Sequence, residues 1–141
     1  MIYYLDTSLL VAALTTEDKT IDAQVWISSQ RPSSMALSDW VITEFSSALS
    51  VKMRTGQIDA TERSIALSKF NQLVDSAFTL LPLDRIYFHT AARFADHHKS
   101  GIRAGDALHL AIASERGLTL CTLDRHLAAA GPDLGAKLLL L

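Results

Sequence analysis

Four acidic residues stand where the pattern of the sequence changes, and their chemistry suits a metal site. Asp6 ends the apolar run IYYL, and Asp124 follows the apolar run LTLCT by two residues. Asp106 opens the helical segment DALHLAIASER, and Glu44 lies beside the apolar stripe of an earlier helical segment. Carboxylate oxygens are hard ligands that favour Mg²⁺ or Mn²⁺. Together these acids could activate water for attack on a phosphodiester.

The elements that must position these acids are predicted from periodicity. Short apolar runs alternate with longer helical patterns, which is typical of α/β units around a mainly parallel sheet. Strands are predicted near residues 2–5, 35–37, 78–81, 118–122 and 137–141, with six or seven helices between them.

The sheet gives a reason for the acids to meet. Ligands bind beyond the carboxyl ends of parallel strands, so Asp6 and Asp124 are expected at one edge. Asp106 belongs to a first helical turn, which commonly points to the same edge. Glu44 has Val41 and Ala48 at helical spacing, and it is therefore expected to face the body of the protein.

Each acid also has an ordinary structural interpretation. Asp6 and Asp124 precede helices and could be N-caps. Asp106 could complement the helix dipole, and Glu44 could be a half-exposed surface acid. The metal interpretation depends on all four acids meeting at one place.

Two local signals predict where helices begin. Ser38 is expected to be an N-cap, with an acidic residue in the turn that follows it. The pair Asp59 and Glu62 has the spacing of a capping box. Gly117 is expected to end the helix that Asp106 opens.

Composition narrows the class of protein. The chain of 141 residues has a formal net charge of −2, which argues against a uniformly basic nucleic-acid binder. Its one cysteine, Cys121, allows no internal disulfide and no zinc knuckle, and it favours a reducing cytoplasm.

No stretch is long and apolar enough for a membrane span, and the N-terminus does not have the pattern of a signal peptide. One domain over residues 1–141 is expected.

Three segments resemble the PIN-domain ribonucleases, and among them the VapC-like toxins of bacterial type II toxin–antitoxin pairs. YLDTSLLVAAL is similar to the family's opening strand and turn, and DWVITEFSSAL to the helix that carries its glutamate. RAGDALHLAIASERGLTLCTLDRHL is similar to its most specific region, an aspartate that opens a helix followed by a strand ending in Thr-x-Asp. The resemblance covers nearly the whole chain and implies a PIN-like α/β/α sandwich with a mainly parallel central sheet of about four or five strands.

The resemblance also implies a function. It implies an endoribonuclease that uses Mg²⁺, or Mn²⁺ as a substitute, and that is the toxin of a toxin–antitoxin pair. Its expected partners are an RNA substrate, a cognate antitoxin and a second copy of the chain. The catalytic and metal-binding residues carried over from the family are Asp6, Glu44, Asp106 and Asp124. Ser8 and Thr122 are expected to support this site.

Further residues are candidates for contact with the substrate. Arg103 and Arg125 lie beside two of the acids and could hold RNA phosphates, although each could equally be a solvated surface arginine. His109, three residues after Asp106, could touch the substrate, orient that aspartate or be a structural histidine. Trp40 could stack on a base or lie in an interface with a protein partner.

Two other functions fit the same acids. A phosphoaspartyl-type phosphatase would use Asp6 as a nucleophile. Such enzymes generally carry an aspartate two residues later, where this chain has Ser8, so the fit is weaker. A non-catalytic module could instead present the acids as a docking patch for a basic partner peptide.

Overall fold

Five parallel strands form the central sheet of a computed structural model that describes all residues from 1 to 141. The strands are β1 (Tyr3–Leu5), β2 (Met35–Ser38), β3 (Thr79–Leu81), β4 (Thr119–Thr122) and β5 (Lys137–Leu140). The helices are α1 (Thr7–Leu14), α2 (Thr20–Ser29), α3 (Asp39–Arg54), α4 (Ala60–Ser76), α5 (Arg85–Asp96), α6 (Ala104–Glu115) and α7 (Arg125–Ala130). Short 3₁₀ turns cover Pro32–Ser34, His98–Ser100 and Pro132–Leu134. Helices flank the sheet, and the predicted α/β fold with a parallel sheet of four or five strands is confirmed.

The strand order is β3-β2-β1-β4-β5. The chain first builds outward from β1 to β2 and β3, and it then returns to place β4 on the other side of β1. The connection therefore reverses direction between β1 and β4. In open α/β sheets, the carboxyl edge at such a reversal is where ligands bind.

The middle of the sheet is buried because it is covered on both faces. Tyr4 and Leu5 of β1, and Leu120 and Cys121 of β4, have no exposed surface. Leu5 pairs with Cys121 in a parallel register, so the residues that follow, Asp6 and Thr122, emerge side by side. The central strands therefore read as continuous apolar runs, as buried parallel strands do.

Two helices next to the central strands are apolar on nearly all sides. In α1, the residues from Leu9 to Ala13 are buried, and in α6 the residues from Ala107 to Ala113 are buried. Helix α1 packs against α2, α3 and α4, and α6 packs against α5 and β4. None of the helices combines the length and apolar character needed to cross a membrane.

Of the three sequence signals for the ends of helices, two are confirmed and one is confirmed only in its position. Asp59 and Glu62 form the predicted capping box, with reciprocal bonds of 2.8 and 3.2 Å between side chain and backbone. Gly117 follows the C-cap residue Arg116 of α6 and has a φ of +66°, as expected of a terminating glycine. Ser38 stands at the N-cap position of α3, but its side chain makes no capping bond, so that part of the prediction is wrong. Its hydroxyl instead lies 2.7 Å from the Tyr4 hydroxyl, inside the core.

Candidate metal centre

The four predicted acids line one open cavity of about 500 Å³ at the carboxyl edge of the sheet. Asp6 directly follows β1, and Asp124 stands between β4 and α7. Asp106 lies in the first turn of α6, and Glu44 lies farther along α3. The cavity is also lined by Thr7, Ser8, Val11, Glu17, Ser47, Ala48 and Leu123.

Asp6 does not cap α1, although it occupies the N-cap position. The residue is 5% exposed, and its Oδ2 accepts hydrogen bonds from Ser8 Oγ at 2.8 Å and Thr122 Oγ1 at 2.7 Å. These two hydroxyls hold one carboxylate oxygen and leave Oδ1 free for other contacts. The structure therefore favours the site interpretation of Asp6 over the capping one.

Ser8 and Thr122 also fix the loops around the site. Ser8 Oγ accepts a hydrogen bond from the Leu123 backbone N–H at 3.2 Å, and Thr122 Oγ1 accepts one from the Asp124 N–H at 3.0 Å. The two residues predicted to support the site thus join the end of β4 to the start of α1.

Glu44 turns inward from α3 toward the same place. Its Oε1 accepts a hydrogen bond from Thr7 Oγ1 at 2.7 Å and another from His109 Nε2. Burial alone would raise the pKa of Glu44, but the bonds from His109 and Thr7 lower it below its ordinary value. Glu44 is therefore held as a carboxylate at the edge of the cavity.

His109 lies underneath the carboxylates and has no exposed surface. Its Nε2 is 3.6 Å from Asp6 Oδ1, and its Nδ1 is 2.8 Å from the Tyr4 hydroxyl. Burial alone would lower the pKa of His109, but the hydrogen bond to Glu44 and the charge of Asp6 raise it above the ordinary value. A fully buried ring offers no atom to a substrate, so the predicted contact between His109 and RNA does not fit this placement.

Asp106 carries a charge that its surroundings oppose. Burial, followed by repulsion from Asp6 and Asp124, raises its pKa to about 6. Asp124 has two roles at once, because it lines the cavity while its Oδ1 accepts hydrogen bonds from the His126 and Leu127 backbone N–H groups at 2.8 and 3.1 Å. The capping interpretation of Asp124 and its place in the acidic site are thus compatible.

The donor set fits a hard divalent cation. Ligand atoms of Asp6, Glu44 and His109 lie within 4.8 Å of one another. The ionised Glu44 carboxylate can only accept, so His109 Nε2 must carry the hydrogen of their bond and has no lone pair for a metal. The available donors are then carboxylate oxygens in a cavity with excess negative charge, which suits Mg²⁺ or Mn²⁺.

The arginines and the tryptophan lie around this centre. Arg103 and Arg125 are exposed at the starts of α6 and α7, and neither forms a salt bridge with an acid. Trp40 lines a neighbouring apolar cleft of about 350 Å³ together with Phe88. The contact of both arginines with a substrate stays a prediction.

Sequence reasoning did not identify the roles of three residues that shape the centre. Tyr4 bonds to the histidine ring, and Ser38 bonds to Tyr4. A Cβ atom on Gly105 would lie 3.1 Å from Glu44 Oε2, so a larger residue there would crowd the carboxylate. One signal was available, because a tyrosine inside a fully buried strand needs a partner for its hydroxyl.

Comparison with solved structures shows the same fold in several proteins. FitAcB from Neisseria gonorrhoeae superposes with a TM-score of 0.76 at 18% identity, covering 97% of this chain and 96% of that one. PAE2754 from Pyrobaculum aerophilum gives 0.70 at 25% identity, covering 98% and 90%. VapC20 from Mycobacterium tuberculosis, described as a Sarcin-Ricin loop cleaving toxin, gives 0.75 at 17% identity, covering 92% and 95%.

Sequence comparison identifies the family. No curated protein matches the chain. The family model described as "PIN domain" matches residues 3–131, which include all four acids of the cavity. On this match, which spans nearly the whole chain, the protein belongs to the PIN-domain family.

Proposed function

We propose that this chain, as a single domain over residues 1–141, is a Mg²⁺- or Mn²⁺-dependent endoribonuclease and the toxin of a toxin–antitoxin pair. The observation that carries the proposal is the convergence of four carboxylates on one open cavity at the switch point of the sheet. Membership of the PIN-domain family supports the nuclease class.

The neighbouring structures support the toxin assignment. VapC20 is described as a toxin that cleaves the Sarcin-Ricin loop, and VapBC2 from Rickettsia felis is described as bound to a DNA fragment from its promoter. A protein of this kind would pair with an antitoxin and act on RNA in the cytoplasm. A homodimer is part of the same proposal.

The acids of the cavity would hold the metal. Asp6 and Glu44 are oriented by hydroxyl and imidazole donors, and Asp106 would add a third carboxylate. Asp124 would complete the site or orient water. A divalent ion bound here would supply Lewis-acid chemistry, activating water and offsetting charge on the leaving oxygen.

Two exposed arginines would place the substrate. Arg103 and Arg125 begin the two helices whose acids line the cavity, so RNA phosphates held there would lie beside the carboxylates. With a net charge of −2, the protein would depend on such local cations and on the metal to bind RNA.

The test is incubation of the purified chain with total RNA and Mg²⁺, with and without a chelator, followed by mapping of the cut ends. We expect cleavage that the chelator stops and that Asp6→Asn abolishes. Asp75→Asn is the control, because Asp75 is an exposed acid on α4 that does not line the cavity. Cleavage at the parental rate by Asp6→Asn would contradict the proposal.

The same preparation separates the two alternatives. Turnover of small phosphate esters without action on RNA would favour the phosphatase. Absence of any change in melting temperature at millimolar Mn²⁺ would favour the acidic docking module, since a ligand of the native state must stabilise it.

A further inference from the structure

Beneath the carboxylates lies a chain of three buried polar side chains that the proposed reaction does not use directly. Tyr4, Ser38 and His109 each have no exposed surface. Ser38 Oγ is 2.7 Å from the Tyr4 hydroxyl, which in turn is 2.8 Å from His109 Nδ1. Buried polar groups of this kind are costly to retain unless every member is satisfied.

The far end of this chain reaches two of the metal-binding candidates. His109 Nε2 donates to Glu44 Oε1 and lies 3.6 Å from Asp6 Oδ1. The imidazole therefore stands between two carboxylates that come from different elements, the end of β1 and the middle of α3. Ligand atoms of Asp6 and Glu44 lie within 4.8 Å of each other, and two negative charges at this distance repel unless a donor stands between them.

We propose that His109 is a positioning residue, fixed by Tyr4 and Ser38, that holds Asp6 and Glu44 at the separation a divalent cation requires. This inference rests on the proposed metal-dependent function. It concerns the neighbours of the ligands, since the ring is shielded from substrate by burial.

The arrangement works in either protonation state of the ring. With a neutral imidazole, Nδ1 accepts from the Tyr4 O–H, and Ser38 donates to the tyrosine oxygen. With an imidazolium, Nδ1–H donates to the tyrosine oxygen, and Tyr4 donates to Ser38. Nε2–H faces the carboxylates in both cases, so the positioning is independent of the charge on the ring.

Each link of the chain comes from a different element. Tyr4 belongs to β1, Ser38 ends β2 and His109 lies one turn into α6. The His109 ring is hydrogen-bonded to Tyr4 on β1 and, through Tyr4, connected to Ser38 on β2, so it has little rotational freedom. Groups that orient metal ligands in this manner typically contribute 10–100-fold to metal affinity or activity.

The experiment is calorimetric titration of the full chain with Mn²⁺ alone, on the parent and four variants. His109→Leu removes the donor, whereas His109→Gln keeps an N–H donor near the position of Nε2. Tyr4→Phe removes only the hydroxyl that fixes the ring. Tyr3→Phe is the matched control, because Tyr3 lies on the same strand and packs edge-on against Trp26.

We expect His109→Leu to weaken Mn²⁺ binding by about 10–100-fold, the range typical for the loss of an orienting group. Tyr4→Phe should weaken it by a smaller factor, His109→Gln should recover most of the affinity, and Tyr3→Phe should leave it unchanged. Cleavage of RNA by Tyr4→Phe should need more Mn²⁺ for half-maximal rate but approach the parental rate at saturation. A purely structural role would lower the melting temperature without this change in metal requirement.

The outcomes that overturn the inference are distinct. If the parent binds Mn²⁺ and both His109→Leu and Tyr4→Phe bind it equally well or more tightly, the positioning role fails while the proposed function stands. If the parent itself binds no Mn²⁺, the proposed function and the inference fail together. Should His109→Leu not fold, Tyr4→Phe against Tyr3→Phe decides the question.

Discussion

Asp6 is an acid that is only 5% exposed, and no lysine or arginine forms a salt bridge with it. Its charge is accommodated by hydroxyl groups of Ser8 and Thr122 and by the nearby His109 ring. Hydrogen bonds to charged groups contribute about 1.5–3 kcal/mol each, which offsets part of the cost of burial. Such an arrangement leaves Oδ1 without a hydroxyl donor, and a divalent cation bound there would complete the compensation.

Without a metal, the ionisation of Asp106 is opposed by burial and by the charges of Asp6 and Asp124. Its folded pKa of about 6 lies above the ordinary value of 3.8, so the folded state resists its ionisation. The resulting loss of stability is absent at low pH, grows as the pH rises from about 4 to 6, and is complete above pH 6.

The first prediction is that Asp106→Asn stabilises the metal-free protein. At pH 7 we expect a gain of about 1 kcal/mol, after allowance for solvent screening of a half-exposed group and for the lost helix-dipole interaction. This corresponds to a rise of about 2–6 °C in melting temperature. Thermal unfolding in the presence of a chelator measures it, and the gain should shrink as the pH falls toward 4.

Asp75→Asn is again the control, because it removes an exposed acid from α4 with the same change in net charge. A gain of equal size in the control would mean that the effect comes from the overall charge and not from the repulsion at Asp106. A loss of stability in Asp106→Asn would show that the carboxylate is well accommodated without a metal.

At the level of single residues, the sequence pointed to the four acids and to the hydroxyl residues Ser8 and Thr122, but not to the buried contacts beneath them. The order of the four acids and their positions at strand and helix ends predicted that they would line one place, and they do. These buried contacts depend on rotamers and long-range packing: Tyr4 and His109 are 105 positions apart in the chain. Ser38 shows the same difficulty, since its hydroxyl bonds inside the core and not to the helix it precedes.

Among the elements, the starts of the helices position three of the four acids, Asp6, Asp106 and Asp124. Helices α1, α3 and α7 begin where β1, β2 and β4 end, and α6 begins at the same edge because it runs back toward the start of β4. Their N-termini carry partial positive charge, which favours the carboxylates that collect there. The sequence predicted these elements well because caps, glycine stops and apolar periodicity are local signals.

The second prediction concerns the close approach of α6 to α3. Gly105 lies where a Cβ atom would come within 3.1 Å of Glu44 Oε2 and 3.6 Å of Trp40 Nε1. Gly105→Ala should therefore displace the Glu44 carboxylate and weaken Mn²⁺ binding by about tenfold, within the range for a misplaced ligand group. Calorimetric titration measures the affinity.

Unfolding in urea serves as the control for this variant. Alanine is favoured over glycine in a helix by about 0.8–1.0 kcal/mol, which opposes the crowding, so the free energy of unfolding should change little. Unchanged Mn²⁺ affinity would show that Glu44 can move aside without loss, and that α6 does not constrain it.

For the whole molecule, the order of the strands decides which distant residues meet. Residues 6 and 122 become neighbours only because β4 is placed beside β1, after β2 and β3 have been added on the other side. No local pattern encodes that order, since apolar strands of similar length could pair in several ways. The resemblance of the three quoted segments to the PIN family implied a mainly parallel sheet of about four or five strands, which the five-stranded sheet confirms, but the order of the strands comes from the structure alone.

The last prediction is that the stabilisation of the whole fold by Mn²⁺ depends on pH. Binding of a divalent cation requires ionised carboxylates, so it must displace the proton that Asp106 retains below its pKa of about 6. The rise in melting temperature caused by a fixed Mn²⁺ concentration should therefore be small at pH 5.5 and larger at pH 7.5. At 100 times the dissociation constant, the stabilisation should reach about 2.7 kcal/mol. Differential scanning fluorimetry at both pH values measures the shift, with Asp6→Asn as the variant expected to show almost none at either pH. An equal shift at both pH values would mean that the cation binds away from Asp106, because a site that includes this carboxylate cannot avoid competing with its proton.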